Sequence, residues 1–219
     1  MSFDYPLLIN YGPQLLEGFR LSVLTWLGGS ALAVLLGFAL ACGLTSGNRT
    51  LCTFIRCYVE FFRGTPLLVQ LFVAYYGGPS IGITLDAVTV GVFGLGLYGA
   101  AYFAEIFRAG FASISPGQID AARSFGIARW ERIYRIILPQ MLVLVIPPGV
   151  TLLVILLKDT AILSIITVPE LTFQITGMTI ETFAFVEPFA ILAVFYWVLT
   201  EFVSYLGRRA ELRLGAYLR

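Results

Sequence analysis

The sequence predicts an all-α membrane protein: five transmembrane helices, N-terminus outside and C-terminus inside, plus a short cytoplasmic helix between the third and fourth spans. Three observations carry this reading. The composition is 58% hydrophobic and 12% charged with a mean hydropathy of +0.88, against roughly 45–50% apolar and 25% charged in soluble domains. Leu21 to Leu44 is 24 residues without a charge, and Ile136 to Leu157 is another 22; either crosses a hydrocarbon core of about 30 Å. Finally, the arginines segregate. With the N-terminus outside, the inner segments collect Arg49, Arg56, Arg108, Arg123, Arg129, Arg132, Arg135, Arg208, Arg209, Arg213 and Arg219, and the outer ones hold little beyond Arg20 and Lys158. The positive-inside rule selects that orientation, and the formal net charge of +1 only averages two unlike faces.

The 219 residues form one domain, with spans at about 15–44, 54–76, 86–112, 133–157 and 187–207. Met1 to Gln14, with Pro6, Gly12 and Pro13, reads as an amphipathic or irregular lead-in. The first span is too long for a signal-peptide core and lacks a basic leader, so it is expected to remain in the mature protein. The second carries Glu60 and Arg63 near its start, a polar cytoplasmic end, and Gly64-Thr65-Pro66 is expected to kink it. Span three is dense in glycine (Gly91, Gly94, Gly96, Gly99), which allows helices to approach closely. Gly77 to Leu85 is a turn-rich outer connection. Lys158 to Glu187 is the longest stretch outside a clear span; irregular backbone at membrane depth survives only against protein or a water-filled cavity, so it is expected to fold over an outer mouth.

Between spans three and four lies a polar, Arg-rich island. Ser115 is placed as N-cap and Pro116 at the first helical position, and Gly126 can take the left-handed conformation that closes a helix. These signals predict a helix over about 116–126 lying flat on the inner face.

Asp120-Ala121-Ala122, Gly126 four residues after that alanine pair, and Ile136-Ile137-Leu138-Pro139 resemble the "EAA" loop of ABC-importer membrane subunits. The segment from Tyr58 to Gln70, with Phe62-Arg63-Gly64-Thr65-Pro66, and Leu157-Lys158-Asp159-Thr160 are similar to the polar amino-acid permease branch of that family. The likeness runs from about Leu15 to Gly207. It implies a bacterial inner-membrane permease subunit that forms half of a translocation path for a polar amino acid or related small solute. The loop would be a coupling helix docking on an ATPase, through Gly117, Gln118, Asp120, Ala121, Ala122, Arg123, Gly126 and Arg129. Asp120, Ala121, Ala122 and Gly126 would present small side chains on one face, and Arg123 and Arg129 would offer donors to partner carboxylates. The implied partners are two ATP-binding subunits per complex, a second permease, an external solute-binding protein and membrane lipid, with no nucleic acid. ATP and Mg²⁺ would bind the ATPase, and this chain would need no cofactor.

Glu60 and Arg63, three apart, share a helix face and can pair, and Glu105 and Arg108 repeat that spacing; with Gly64, Thr65 and Pro66 the first two read as a structural motif. Candidate substrate-path residues are Thr151, Lys158, Asp159 and Thr160, because ionisable groups at such depth are expensive and are functional or paired. The family's pattern carries Asn-Glu where this chain has Thr151-Leu152. Without that acid, a substrate ammonium lacks its natural partner here, which points to a second, non-identical permease.

The chain is not expected to be an enzyme. It has no Gly-x-x-x-x-Gly-Lys-[Ser/Thr] phosphate loop, no His and no metal-ligand spacing. Cys42, Cys52 and Cys57 cluster at the reducing inner side, where they read as packing residues. A self-sufficient secondary transporter or channel subunit is the alternative; it fits less well, because no internal repeat or intramembrane acidic relay is visible.

Overall fold

The structure, a computed structural model, describes residues 5–215 and the side chains of 11–214. All regular elements among the described residues are helical. They are α1 (Tyr5–Leu44), α2 (Arg49–Gly64), α3 (Leu67–Phe72), α4 (Ala87–Ala112), α5 (Pro116–Ser124), α6 (Arg129–Arg132), α7 (Leu138–Asp159), α8 (Leu171–Thr182) and α9 (Val186–Gly215). A π-helical turn, Ile133–Ile137, joins α6 to α7, and the 3₁₀ turn Thr160–Ile166 follows α7. Four helical stretches are long and apolar enough to cross a membrane: Tyr11–Leu44, Ala87–Ala112, Arg129–Ile166 and Val186–Leu214.

The second predicted span departs from expectation. Instead of a kinked helix over 54–76, the chain breaks completely between α2 and α3, where Thr65 (φ −118°, ψ 140°) and Pro66 (φ −62°, ψ 139°) are extended. Pro66 supplies no N–H and pushes Thr65 out of the helical region. Two side chains meet carbonyls at the break: Thr65 Oγ1 donates to the Phe61 carbonyl (2.8 Å), and Gln70 Nε2 donates to the carbonyl oxygens of Phe62 (3.0 Å) and Thr65 (3.0 Å) and to Thr65 Oγ1 (2.7 Å). Beyond α3 the chain continues as a π-helical turn, Val73–Gly77, and a 3₁₀ turn, Gly78–Ile81.

Two further expectations are corrected. Of the two readings of the lead-in, the irregular one is excluded, because α1 runs from Tyr5 with Pro13 inside it; residues 1–4 lie outside the described residues. The stretch after Lys158 contains the 12-residue helix α8, which packs on α1 and α9.

The core forms where α1 lies along α4, the most extensive interface of the chain, with α7 closing the third side. The glycines of α4 make this contact possible. A Cβ on Gly99 would stand 2.8 Å from the Ala33 Cβ and 2.9 Å from Leu156 Cδ1. Polar ties cross the interfaces: Trp26 Nε1 of α1 donates to the Leu153 carbonyl of α7 (2.9 Å), and the Tyr58 hydroxyl of α2 to the Leu97 carbonyl of α4 (2.6 Å).

Candidate functional site

The polar island folds as a rigid handle. Pro116 occupies the first turn of α5, but Ser115, although at the N-cap position, makes no side-chain capping bond. Gly126 closes the helix at φ +72°. Its N–H bonds the Arg123 carbonyl (2.9 Å), and Ile127 N–H bonds the Ala122 carbonyl (3.1 Å), the six-to-one and five-to-two closure that spends the last orphan carbonyls. Arg132 Nη1 then donates to the Ile127 carbonyl at 3.2 Å.

The expected face of small residues is not one face. Ala122 is 4% exposed and turns toward the chain's own body, whereas Gly117, Gln118, Asp120, Ala121, Arg123, Gly126 and Arg129 are exposed. Arg123 sits 3.4 Å from Asp120, an open pair. Two large side chains that the sequence reading passed over stand out beside them, Phe125 at 84% and Trp130 at 75% exposure. Apolar rings so exposed on a polar loop mark a contact surface.

A second arrangement lies along α4. Tyr98, Tyr102 and Glu105 follow one another on one helix face at the four- and three-residue spacing, and the two tyrosine hydroxyls are 3.2 Å apart. The spacing was legible, but tyrosines in an apolar run attract no attention without a neighbour. The neighbour is Arg63: its guanidinium lies over the Tyr102 ring, 5.3 Å from the centroid. The spacing of Glu60 and Arg63 permits a pair, but among the described residues they form no ion pair, and Arg63 lies over the ring on α4 instead. Glu105 and Arg108 do pair, at 3.1, 3.0 and 2.6 Å.

Arg63, Tyr102 and Glu105 join Ile106, Pro148, Thr151, Leu152 and Ile155 around a cavity of about 380 Å³ between α2, α4 and α7. Thr151 is exposed there, its hydroxyl donating to the Pro147 carbonyl (3.1 Å). Leu152 is 6% exposed and belongs mainly to the core. Toward the arginine-rich end, Arg63 and Glu105 also border a second cavity of about 440 Å³ with Leu44, Arg56, Val59, Glu60 and Arg108.

The remaining path candidates separate. Lys158 is exposed and shares a cavity with Thr151, Arg208 and Glu211; Asp159 is half-buried at the end of α7. Thr160 faces inward and is fully buried. Its hydroxyl donates to the Leu157 carbonyl (2.7 Å) and lies 3.1 Å from the Tyr196 hydroxyl, so it is an internal tie and not a lining residue. That tie belongs to a knot around Glu170, which is also fully buried. Glu170 caps α8 by accepting from Thr172 N–H (2.9 Å) and Phe173 N–H (2.9 Å), and it accepts from Ser22 Oγ of α1 (3.2 Å) and the Tyr196 hydroxyl of α9 (3.5 Å). Burial pushes its carboxyl up to about 7, against the pull of these hydrogen bonds.

An exposed polar loop is joined to membrane helices with a polar wall, and comparison with known proteins shows where such a chain belongs. Residues 13–215 match the family described as the binding-protein-dependent transport system inner membrane component. This chain belongs to that family. It is similar to the probable amino-acid ABC transporter permease YckA of Bacillus subtilis (31% identical, 99% of this chain, 96% of that one) and to the glutamine transport system permease GlnP of Escherichia coli K12 (34%, 98% and 99%). Among solved structures it resembles an amino acid ABC transporter crystallised with histidines, at a TM-score of 0.88 and 33% identity over 97% of this chain and 100% of the other. The MetNI methionine transporter, at 16% identity and a TM-score of 0.72 over 98% and 99%, shares the fold. The chain is thus a multi-pass permease subunit of the cytoplasmic membrane. Membership implies association with ATP-binding subunits and a substrate-binding protein.

Proposed function

We propose that this permease lines half of a path for a polar amino acid, with α2, α4 and α7 as the lining helices and Arg63, Tyr102 and Thr151 as the residues that meet the solute. The observation that carries this is the cavity of about 380 Å³ bounded by an arginine, a tyrosine, a glutamate and a threonine among otherwise apolar spans. Ionisable groups are too expensive there to be incidental, and the relatives named for amino acids and glutamine supply the cargo class.

In this reading the chain crosses the membrane five times, with the broken α2–α3 unit as the second crossing. The N-terminus is outside, because that orientation puts the arginine-rich ends of α4, α7 and α9 in the cytoplasm. The surface around Gln118, Asp120, Ala121, Arg123, Gly126 and Arg129 docks on a separate ATPase, which binds ATP and Mg²⁺ and carries out hydrolysis. Leu152, turned into the core, offers no carboxylate to a substrate ammonium, so a second, non-identical permease supplies it. The reading is tested by reconstituting this permease with its ATPase, binding protein and second permease and following labelled amino-acid uptake. Thr151→Trp, which fills the cavity, is expected to stop uptake while ATPase co-purification persists. Full uptake by that variant would refute the path, and uptake with this permease alone would refute the second one.

A further inference from the structure

The helix α2 has two faces of opposite character. Arg56, Glu60 and Arg63 border the cavity of about 440 Å³ beside α4, whereas Thr50, Phe54, Cys57, Phe61 and Thr65 follow one another at helical spacing on another face. Much of that second face is left bare by the chain, since Phe54, Cys57 and Phe61 are exposed. Its two ends differ. At the inner end Arg49, Thr50, Thr53, Phe54 and Cys57 border a hollow of about 350 Å³, and Arg49 has no ion-pair partner among the described residues. At the other end Phe61 opens into a groove of about 760 Å³ between α2, α3 and α4, walled by Val69, Val73, Phe93 and Leu97. Thr65 and Gln70 border the groove too, but Thr65 Oγ1 and Gln70 Nε2 are taken up by the carbonyls of the break. A ligand in the groove therefore meets hydrocarbon, and one at the hollow meets a free guanidinium.

We infer that this face of α2 seats one anionic phospholipid of the cytoplasmic leaflet, with its phosphate on Arg49 and an acyl chain ending in the groove between α3 and α4. The dimensions agree. Arg49 and Phe61 are twelve residues apart, a rise of about 18 Å along the helix, and half of a hydrocarbon core of about 30 Å together with its headgroup layer covers the same distance. Charge decides between a lipid and a helix of the second permease. A guanidinium takes a phosphate through parallel N–H donors, and the cytoplasmic leaflet presents anionic groups at this depth; a helix would have to bring an acid to the one level where Arg49 lies. The bound lipid bears on the back of the helix whose front carries Arg63, so it sets where that front stands. The inference takes its leaflet from the orientation proposed above and is independent of the path.

The test strips the complete importer of lipid by detergent exchange and titrates it with dioleoylphosphatidylglycerol or dioleoylphosphatidylcholine, counting retained lipid by native mass spectrometry. Phosphatidylglycerol is expected to be held at about tenfold lower concentration, the effect of one charged hydrogen bond. Arg49→Gln should remove that preference and leave phosphatidylcholine retention unchanged. Ala74→Trp, which fills the groove from its exposed wall, should weaken both lipids several-fold. Arg213→Gln, at an arginine of α9, should change neither. Equal retention of the two lipids, a preference that Arg49→Gln leaves intact, or one that Arg213→Gln abolishes overturns the inference. So does separation of the two permeases by Ala74→Trp with lipid retention unchanged, because a helix of the partner permease would then fill the groove. The orientation is checked apart from lipid retention: labelling of an Arg49→Cys variant from outside intact cells would remove the leaflet assignment, whereas absent lipid preference with labelling only after permeabilisation removes this site alone.

Discussion

The two ends of this molecule hold their acids in opposite ways. At the end where α8 crosses α1 and α9, Glu170 has no salt-bridge partner among the described residues; it is fully buried and surrounded by neutral donors from three helices, α1, α8 and α9. At the arginine-rich end, Glu60 and Glu105 stand among three guanidinia around an open cavity. Neutral donors fix a carboxylate at short range and in one geometry, which knots elements together. Full charges act over longer distances and tolerate rearrangement. The contrast leads us to expect that the α8 end stays fixed and that the arginine-rich end rearranges.

The largest effect should come at the changing end. Ala121→Arg places a bulky charge on the exposed side of α5 and is expected to cut ATPase co-purification by about tenfold or more, because an unpaired guanidinium in a protein groove costs several kcal/mol. Membrane insertion should be normal. If the ATPase is recovered in full, α5 is not the docking surface and the contrast loses its inner half.

Next is the contact on which both ends hang. Gly99→Val puts carbon against Ala33 and Leu156 and should destabilise the α1–α4 pairing by about 1–3 kcal/mol, read as a lower Tm of the purified complex. An unchanged Tm would mean that the helices slide freely and no end is fixed.

The knot itself is tested by pH. Glu170 titrates at about 7 when folded against an ordinary 4.5. A raised carboxyl favours the folded state while protonated, so the stability it contributes is complete below the ordinary value and is lost as pH rises through about 7. Protection factors of the α8 amides, which remove the intrinsic pH dependence of exchange, should fall across that interval. Glu170→Gln should flatten the dependence, and Glu170→Ala should cost about 1–2 kcal/mol through the lost cap. A flat wild-type profile would remove burial as the dominant influence on this group.

The smallest effect belongs to Glu105→Gln. Its pair with Arg108 is partly exposed, and its loss should change stability by about 0–1 kcal/mol in thermal unfolding. A larger loss would make the arginine-rich end a second knot.

What the sequence disclosed divides along physical lines. Long uncharged runs announce helices because nothing else satisfies a backbone in lipid, so α1, α4, α7 and α9 were legible. So was α5, through Pro116 and Gly126, whose backbone preferences are local. The direction of Ala122 was not, since alanine reads the same whether it faces a groove or its own chain. Neither was α8, because its cap is a glutamate inside an apolar stretch and its stability comes from Ser22 and Tyr196, far away in sequence. The break at Pro66 looked like a kink because Gln70, which satisfies the open ends, carries no signal of that role. The place of Arg63 was hidden for a related reason: helical spacing permits a pair with Glu60, but an aromatic face on another helix won the guanidinium.

The closure at Gly126 sets how motion travels through this protein. Between the end of α5 at Ser124 and the start of α6 at Arg129, backbone bonds secure Phe125, Gly126 and Ile127 to the helix before them, and Arg132 reaches back to Ile127. There is no slack in such a linkage. A push on α5 is expected to arrive at α7 as a turn of the crank and not as the tug of a rope, with compression and tension transmitted alike. Thr151, three turns further along the same shaft, moves with either stroke.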